Sequence, residues 1–82
     1  MNVKLKLFAS LRNYLDVGLD GGRVFELDQG SSVLDLFSEV PLPVEEVHLT
    51  LVNGIYHPVE ELASLQLIEG DVVGVWPPIA GG

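Results

Sequence analysis

In this sequence of 82 residues, one segment spaces its apolar side chains as a helix does, and alternating segments lie on both sides of it. The apolar residues that would line one face of this helix are Val33, Leu36, Phe37 and Val40. A single helix covers one face of a sheet, and strands on both sides of it in the sequence can pair beneath it. The sequence therefore predicts an α+β fold, with a mixed sheet packed on one main helix.

Both ends of this helix have recognisable signals. Ser32, followed three residues later by Asp35, forms a start that is similar to a capping box. Pro41 and Pro43 stop the helix, because proline cannot donate a backbone hydrogen bond. We therefore expect a short helix of about eight or nine residues.

Strand signals occur before and after the helix. Apolar and polar residues alternate in four segments, which we predict to be strands: residues 2–7, 24–28, 47–52 and 72–76. Asn53 and Gly54 are a favourable pair for a hairpin turn, which predicts a short returning strand from Ile55. We expect one helical turn near residues 11–15, and an irregular segment or a single helical turn at residues 59–67.

The alternation divides the strands into two faces. The residues expected to pack against the helix are Val3, Leu5, Leu7, Phe25, Leu27, Leu49, Leu51, Val73 and Val75. On the last strand, the opposite face is expected to carry Val72, Gly74 and Trp76.

Composition argues against several functions. With 12 acidic and 4 basic residues, the chain has a formal net charge of −8, and nucleic-acid binding requires a basic face. A strongly acidic small domain can instead be steered onto basic partner surfaces, but charge alone favours the alternative that it serves solubility. The absence of cysteine excludes disulfides and thiolate chemistry. His48 and His57 alone cannot complete a metal site, so we predict no metal.

The remaining patterns predict one cytoplasmic domain without membrane contact. No apolar run approaches the ~20 residues of a membrane helix, and Lys4 and Lys6 do not precede an apolar block as they would in a signal peptide. A domain of this size has no room for an enclosed active site. The acidic pairs at residues 45–46 and 60–61 are typical of solvated loops, so we do not expect an enzyme.

The final residues carry the most specific chemical signal. Gly81 and Gly82 end the sequence, and Pro77 and Pro78 precede them. A free α-carboxylate is ionised at neutral pH and is a poor electrophile, but a partner can activate it as an acyl adenylate. Glycines let the backbone pass close to the walls of a partner's channel, and the prolines hold the chain extended. The alternative is a frayed terminus of small residues.

At this point the sequence resembles a known family, the ubiquitin-like sulfur carriers (MoaD/ThiS-like proteins). The resemblance is carried by residues 3–12 (VKLKLFASLR), 52–54 (VNG), 70–73 (GDVV) and above all 76–82 (WPPIAGG). It is stronger to the small subunit of molybdopterin synthase than to the thiamine-thiazole sulfur carrier, and it covers nearly the whole chain.

The resemblance implies a β-grasp domain at residues 1–76 and a flexible tail at residues 77–82. It also implies that an adenylyltransferase resembling ubiquitin activators uses ATP to adenylate the carboxylate of Gly82, which a sulfur donor converts to a thiocarboxylate. Gly81 would pass through the partner's channel. The large subunit of molybdopterin synthase, or another sulfur acceptor enzyme, would receive the sulfur. The carrier would bind no cofactor and would not be the catalytic subunit.

A partner-binding surface is expected beside the tail. Its predicted residues are Phe8, Trp76, Pro77, Pro78, Ile79 and Ala80. Other readings remain open, namely a carrier for thiamine thiazole, a tungsten cofactor or another sulfur metabolite, or a binding module without covalent chemistry. A protein modifier conjugated through Gly82 is a further reading, although Lys4 and Lys6 as the only lysines would restrict chains of such a tag.

Overall fold

The elements follow one another as two strands, a helix and three strands. The structure, a computed structural model, describes residues 1–40 and 42–78. The strands and the helix are β1 (Asn2–Leu7), β2 (Gly22–Glu26), α1 (Val33–Ser38), β3 (Leu49–Val52), β4 (Ile55–His57) and β5 (Val72–Trp76). Short 3₁₀ helices occupy Ala9–Tyr14, Val44–Glu46 and Val59–Glu61.

The five strands form one mixed sheet in the order β2-β1-β5-β3-β4. β1 and β5 are parallel, and every other neighbouring pair is antiparallel. The last strand therefore lies at the centre of the sheet, between the first strand and β3. Parallel neighbours need a crossover connection, and α1 lies within it. The predicted α+β architecture is confirmed.

The helix α1 begins where the sequence predicts and ends earlier. Both hydrogen bonds of the capping box form: the backbone N–H of Asp35 donates to Ser32 Oγ (3.1 Å), and that of Ser32 donates to Asp35 Oδ2 (2.9 Å). The α-helix spans six residues, fewer than predicted. The last turn is tighter than an α-helical turn, because the backbone N–H of Glu39 donates to the carbonyls of Leu36 and Phe37 and not to the carbonyl four residues before it.

The core lies between α1 and one face of the sheet. All four residues of the predicted helix face are buried, and so are Val3, Leu5, Leu7, Leu27, Val73 and Val75. Phe25 is partly buried and packs against this core. Three buried leucines outside the strands, which the sequence did not identify because their segments lack a regular period, complete it: Leu11, Leu62 and Leu67.

Two leucines of β3 lie on the other face of the sheet. The prediction that Leu49 and Leu51 belong to the core is wrong, since both are half-buried while Thr50 and Val52 are buried. The pairing with β5 explains this, because Val52 lies opposite Val73 and directly paired residues share a face. Val73 belongs to the core, so alternation directs Leu49 and Leu51 away from the helix.

Several strand boundaries differ from the predicted ones. β2 begins and ends two residues earlier than predicted, and β3 begins at Leu49 instead of residue 47. The hairpin at Asn53 and Gly54 is confirmed, with positive φ at both residues, as a two-residue turn between β3 and β4 requires. In the part of the chain that the structure describes, no helix is long and apolar enough to cross a membrane.

Candidate partner-binding surface

The face of the sheet that points away from α1 is apolar over β3, β4 and β5. Leu49 lies opposite Trp76, and Leu51 lies between Gly74 and Tyr56 on the neighbouring strands. These residues therefore share one face, which we call the outer face. Leu49, Leu51 and Trp76 are half-buried and Tyr56 is exposed. Sequence reasoning missed Leu49, Leu51 and Tyr56, and only the register of β3 against β5 could have revealed them.

An aromatic pair lies at one end of the outer face. The rings of Phe8 and Trp76 stack in parallel, with centroids 4.0 Å apart and an interplanar angle of 2°. The backbone N–H of Phe8 donates to the carbonyl of Val75 (3.2 Å), which fixes the end of β1 beside the end of β5. The structure thus brings together two of the predicted partner-binding residues, Phe8 and Trp76.

Gly74 provides the space that this pair occupies. A Cβ atom at Gly74 would lie 3.1 Å from Trp76 Cζ3 and 3.4 Å from Phe8 Cε2. The first distance is shorter than most observed Cβ contacts, so a side chain here would displace the indole ring. Gly74 is itself buried, because the indole of Trp76 folds back over it.

The predicted tail begins directly after this pair. Pro77 is buried and Pro78 is exposed, so the chain reaches the surface at Pro78, two residues after Trp76. The predicted site residues Ile79, Ala80, Gly81 and Gly82 lie outside the described residues. Their roles stay predictions.

The outer face becomes polar towards β1. Lys4 and Lys6 lie opposite Val72 and Gly74 on β5, and Lys4 forms an ion pair with Asp20. The hydrogen bond from Lys4, together with one from the backbone N–H of Gly22, lowers the pKa of Asp20 below its ordinary value of 3.8.

The described residues form no cluster of metal-ligating side chains. No group of three histidine, aspartate or glutamate side chains within residues 1–40 and 42–78 has a geometry that could hold a metal ion. A cavity of about 290 Å³ lies between the end of β2 and α1, and its lining includes Glu26, Asp28, Asp35 and Glu39. Carboxylates without a balancing cation would disfavour an anionic cofactor there.

The fold defines a class of protein. A mixed five-stranded sheet with parallel first and last strands at its centre, and one α-helix packed across it, is the ubiquitin-like β-grasp fold. The family model of the ThiS family matches residues 5–82. The chain therefore belongs to the ThiS family, whose members are small ubiquitin-like sulfur carriers.

Similar solved structures agree with this assignment. A putative molybdopterin converting factor subunit 1 from Pyrococcus furiosus is 30% identical, with a TM-score of 0.72 over 95% of this chain and 98% of that one. SAMP1 from Haloferax volcanii is 20% identical, with a TM-score of 0.69 over 100% of both chains. A subunit of the complex of molybdopterin-converting factor subunits 1 and 2 from Helicobacter pylori is 16% identical, with a TM-score of 0.64 over 100% of both chains. A search of the curated proteins finds no match.

Proposed function

We propose that this chain carries sulfur on the C-terminal carboxylate of Gly82. The match to the ThiS family supports this most directly, because it extends to Gly82 itself. The composition is compatible with it, since a chain without cysteine cannot hold sulfur as a cysteine persulfide. The carboxylate is then the group that accepts the sulfur.

Loading the sulfur takes two displacement steps. A ubiquitin-activator-like adenylyltransferase first binds the tail with ATP. A carboxylate oxygen of Gly82 attacks the α-phosphorus, and pyrophosphate leaves. Hydrosulfide, released by a sulfide donor, then attacks the carbonyl carbon of this acyl adenylate, AMP leaves with the bridging oxygen, and the thioacid loses its proton. The carboxylate has become a thiocarboxylate, in which one sulfur has replaced one oxygen.

The described residues support presentation of such a tail from a fixed position. β5 is the central strand of the sheet, and it ends at Trp76, immediately before the tail. The stacked Phe8 and Trp76, with Leu49 and Leu51 beside them, offer the partner an apolar surface at the origin of the tail. The six residues that begin with Pro77 span about 20 Å at most, so the partner must bind this surface to receive Gly82 in its active site.

We further propose that the sulfur goes to the large subunit of molybdopterin synthase. The Pyrococcus furiosus relative bears the name of subunit 1 of the molybdopterin converting factor, and the Helicobacter pylori structure is a complex of subunits 1 and 2 of that factor. On this proposal, the chain is the small, non-catalytic subunit, and ATP is used only by its activating partner. A carrier for thiamine thiazole or another cofactor would be loaded by the same steps and would differ in the acceptor.

Intact mass spectrometry tests the loading step. The purified chain is incubated with a ubiquitin-activator-like adenylyltransferase, ATP and a sulfide donor. A gain of about 16 Da, the replacement of oxygen by sulfur, is the expected result. Larger adducts on lysines of added proteins would identify a protein modifier instead, and an unchanged mass would contradict the proposal. Supplying the loaded carrier to purified large subunits of the candidate pathways then identifies the acceptor.

A further inference from the structure

Three of the four basic residues lie around the outer face, although the chain has a net charge of −8. Lys4 and Lys6 belong to the outer face of β1, and Arg12 lies in the 3₁₀ helix that follows Phe8. The surface on which we expect a partner to dock is therefore locally basic. This differs from the alternative that the net charge suggested, in which the acidic domain is steered onto a basic partner.

Three features hold the side chain of Arg12 in place. Its Nε donates a hydrogen bond to the carbonyl of Leu7 (2.9 Å). Its guanidinium carbon lies 5.9 Å from the ring centroid of Phe8, within the range of a cation–π interaction. A Cβ atom at Gly21 would lie only 2.7 Å from Arg12 Nη2, so the glycine leaves room for the guanidinium. Binding would thus cost Arg12 less side-chain entropy than it costs a freely rotating arginine.

Arg12 and Lys6 form no close ion pair among the described residues, although the charge of Lys6 contributes to the lowered pKa of Asp20. The ion pairs found in residues 1–40 and 42–78 involve neither of them, although acidic residues are three times as numerous as basic ones. Arg12 Nε is bonded to a carbonyl, whereas the two terminal nitrogens can still donate. A guanidinium held in this way presents paired donors that fit the two oxygens of a carboxylate.

We propose that Arg12 and Lys6 bind carboxylate side chains of the partner that docks on the outer face. Arg12 lies at one side of the Phe8–Trp76 pair, and Lys6 lies opposite Gly74, over which the indole packs. The matching partner surface is apolar where it covers the aromatic pair and acidic at its edge. The inference rests on the proposed function, since it describes how the adenylyltransferase recognises its carrier.

Arg23 provides a matched control within the same chain. Its guanidinium carbon lies 5.5 Å from the ring centroid of Phe25, so it has the same kind of aromatic contact as Arg12. Arg23 is paired with Leu5, a core residue, and therefore belongs to the α1 side of the sheet. Removing the charge of Arg23 changes the net charge by the same amount as removing that of Arg12.

The experiment measures ATP–pyrophosphate exchange by the purified adenylyltransferase at increasing concentrations of carrier. Arg12→Gln is expected to raise the KM for the carrier about tenfold, with kcat within about twofold, because a lost ion pair weakens binding and not the chemical step. Arg12→Lys should give a smaller increase in KM, since lysine keeps the charge but not the paired donors. Lys6→Gln should also give a smaller increase, because lysine offers no paired donors to lose. Arg23→Gln should leave KM unchanged within about twofold. The effect of Arg12→Gln should shrink at high salt.

Equal KM values for Arg12→Gln and Arg23→Gln would overturn the inference. So would an Arg12→Lys variant as impaired as Arg12→Gln at every salt concentration, because the role of Arg12 would then be to hold the end of β1 and not to attract a carboxylate. Calorimetry of the carrier with ATP alone tests the alternative that Arg12 binds a phosphate group instead of a carboxylate. ATP binding that Arg12→Gln abolishes would identify a phosphate site and would also overturn the inference.

Direct binding separates this inference from the proposed function. The same variants are titrated against the adenylyltransferase in the absence of ATP. If wild type binds in a manner that depends on Arg12 but is never adenylated, the inference holds and the proposed function fails. If wild type is adenylated but Arg12→Gln and Arg23→Gln bind equally, the inference fails alone. If wild type neither binds nor reacts, both fail.

Discussion

At the scale of single residues, the indole of Trp76 stays half-exposed although it belongs to the central strand of the sheet. Its position depends on Phe8, on which it stacks, and on Gly74, over which it lies. Large aromatic side chains at the centre of an interface often contribute most of the binding energy. The stack keeps this one in a fixed orientation before a partner arrives.

Replacing Trp76 by alanine should weaken binding of the adenylyltransferase by about 2 kcal/mol or more, as for an aromatic hot spot. Calorimetry gives the affinity, and a thermal melt checks that the variant remains folded. Leu34→Ala is the control, because Leu34 is 48% exposed on α1, on the other side of the sheet. Equal affinities for Trp76→Ala and Leu34→Ala would remove Trp76 from the interface.

The ion pair of Lys4 and Asp20 should make stability depend on acidic pH. Its hydrogen bond lowers the pKa of Asp20 in the folded state below 3.8, so folding favours the carboxylate. The stabilisation is present above that value and is lost as the pH falls through the lowered pKa. Melting temperatures of wild type and Asp20→Asn should therefore differ at neutral pH and converge in strong acid. A difference that is unchanged at low pH would contradict this assignment.

At the scale of elements, α1 depends on its first turn because it is only six residues long. Ser32→Ala removes the side-chain acceptor for the backbone N–H of Asp35 and should destabilise the domain by about 1 kcal/mol. Chemical denaturation measures this change. Ser31→Ala is the control, since the Ser31 side chain makes no hydrogen bond within the described part of the chain. Equal losses for the two variants would argue against the cap.

The sequence predicts well those elements whose ends are marked by turn residues or prolines beside them in the chain. β5 has the predicted bounds, because a Gly-Asp turn precedes it and two prolines follow it. The face of β3 was not predictable in this way, because leucine occupies one set of alternating positions while Thr50 and Val52 occupy the other. Which set faces the core is decided by pairing with β5, whose residues lie 21 to 27 positions further along the sequence.

The candidate partner-binding surface was also predictable only where local sequence signals define it. Phe8 and Trp76 could be predicted to share a surface, since each lies at the end of a predicted strand. The contributions of Leu49, Leu51 and Arg12 could not be predicted, because they depend on the register of β3 and on the conformation of one long side chain. Local sequence patterns carry information about neither.

At the scale of the whole molecule, the reaction and the stability of the fold should be separable. Deleting Gly82 moves the terminal carboxylate back by about 3.3–3.6 Å, whereas a misplacement of about 1 Å can cost ~100-fold in a positioned reaction. We expect the deletion to abolish thiocarboxylate formation and leave the melting temperature nearly unchanged, because the hydrophobic core of the described residues extends no further along the chain than Val75. Intact mass and a thermal melt measure the two effects.

A variant of Gly81 provides a second test of the role of the tail. Gly81→Val keeps the length of the tail and adds a branched side chain, so it should also impair loading through a clash in the partner's channel. If the chain without Gly82 gains sulfur as fast as the complete one, the carboxylate of Gly82 is not the reacting group.

The pairing of β1 with β5 also determines when the domain can fold during its synthesis. Lys4 lies beside Val72, so the first strand emerges from the ribosome long before its central neighbour exists. Until Trp76 has been added, β1 and β3 have no strand between them and the sheet remains in two parts. Contacts this distant in sequence slow folding, and the unjoined parts expose strand edges that can associate with other chains. The strand that places the tail is therefore the strand that completes the domain, and a nascent chain cannot present its tail from an ordered surface before the sheet has closed.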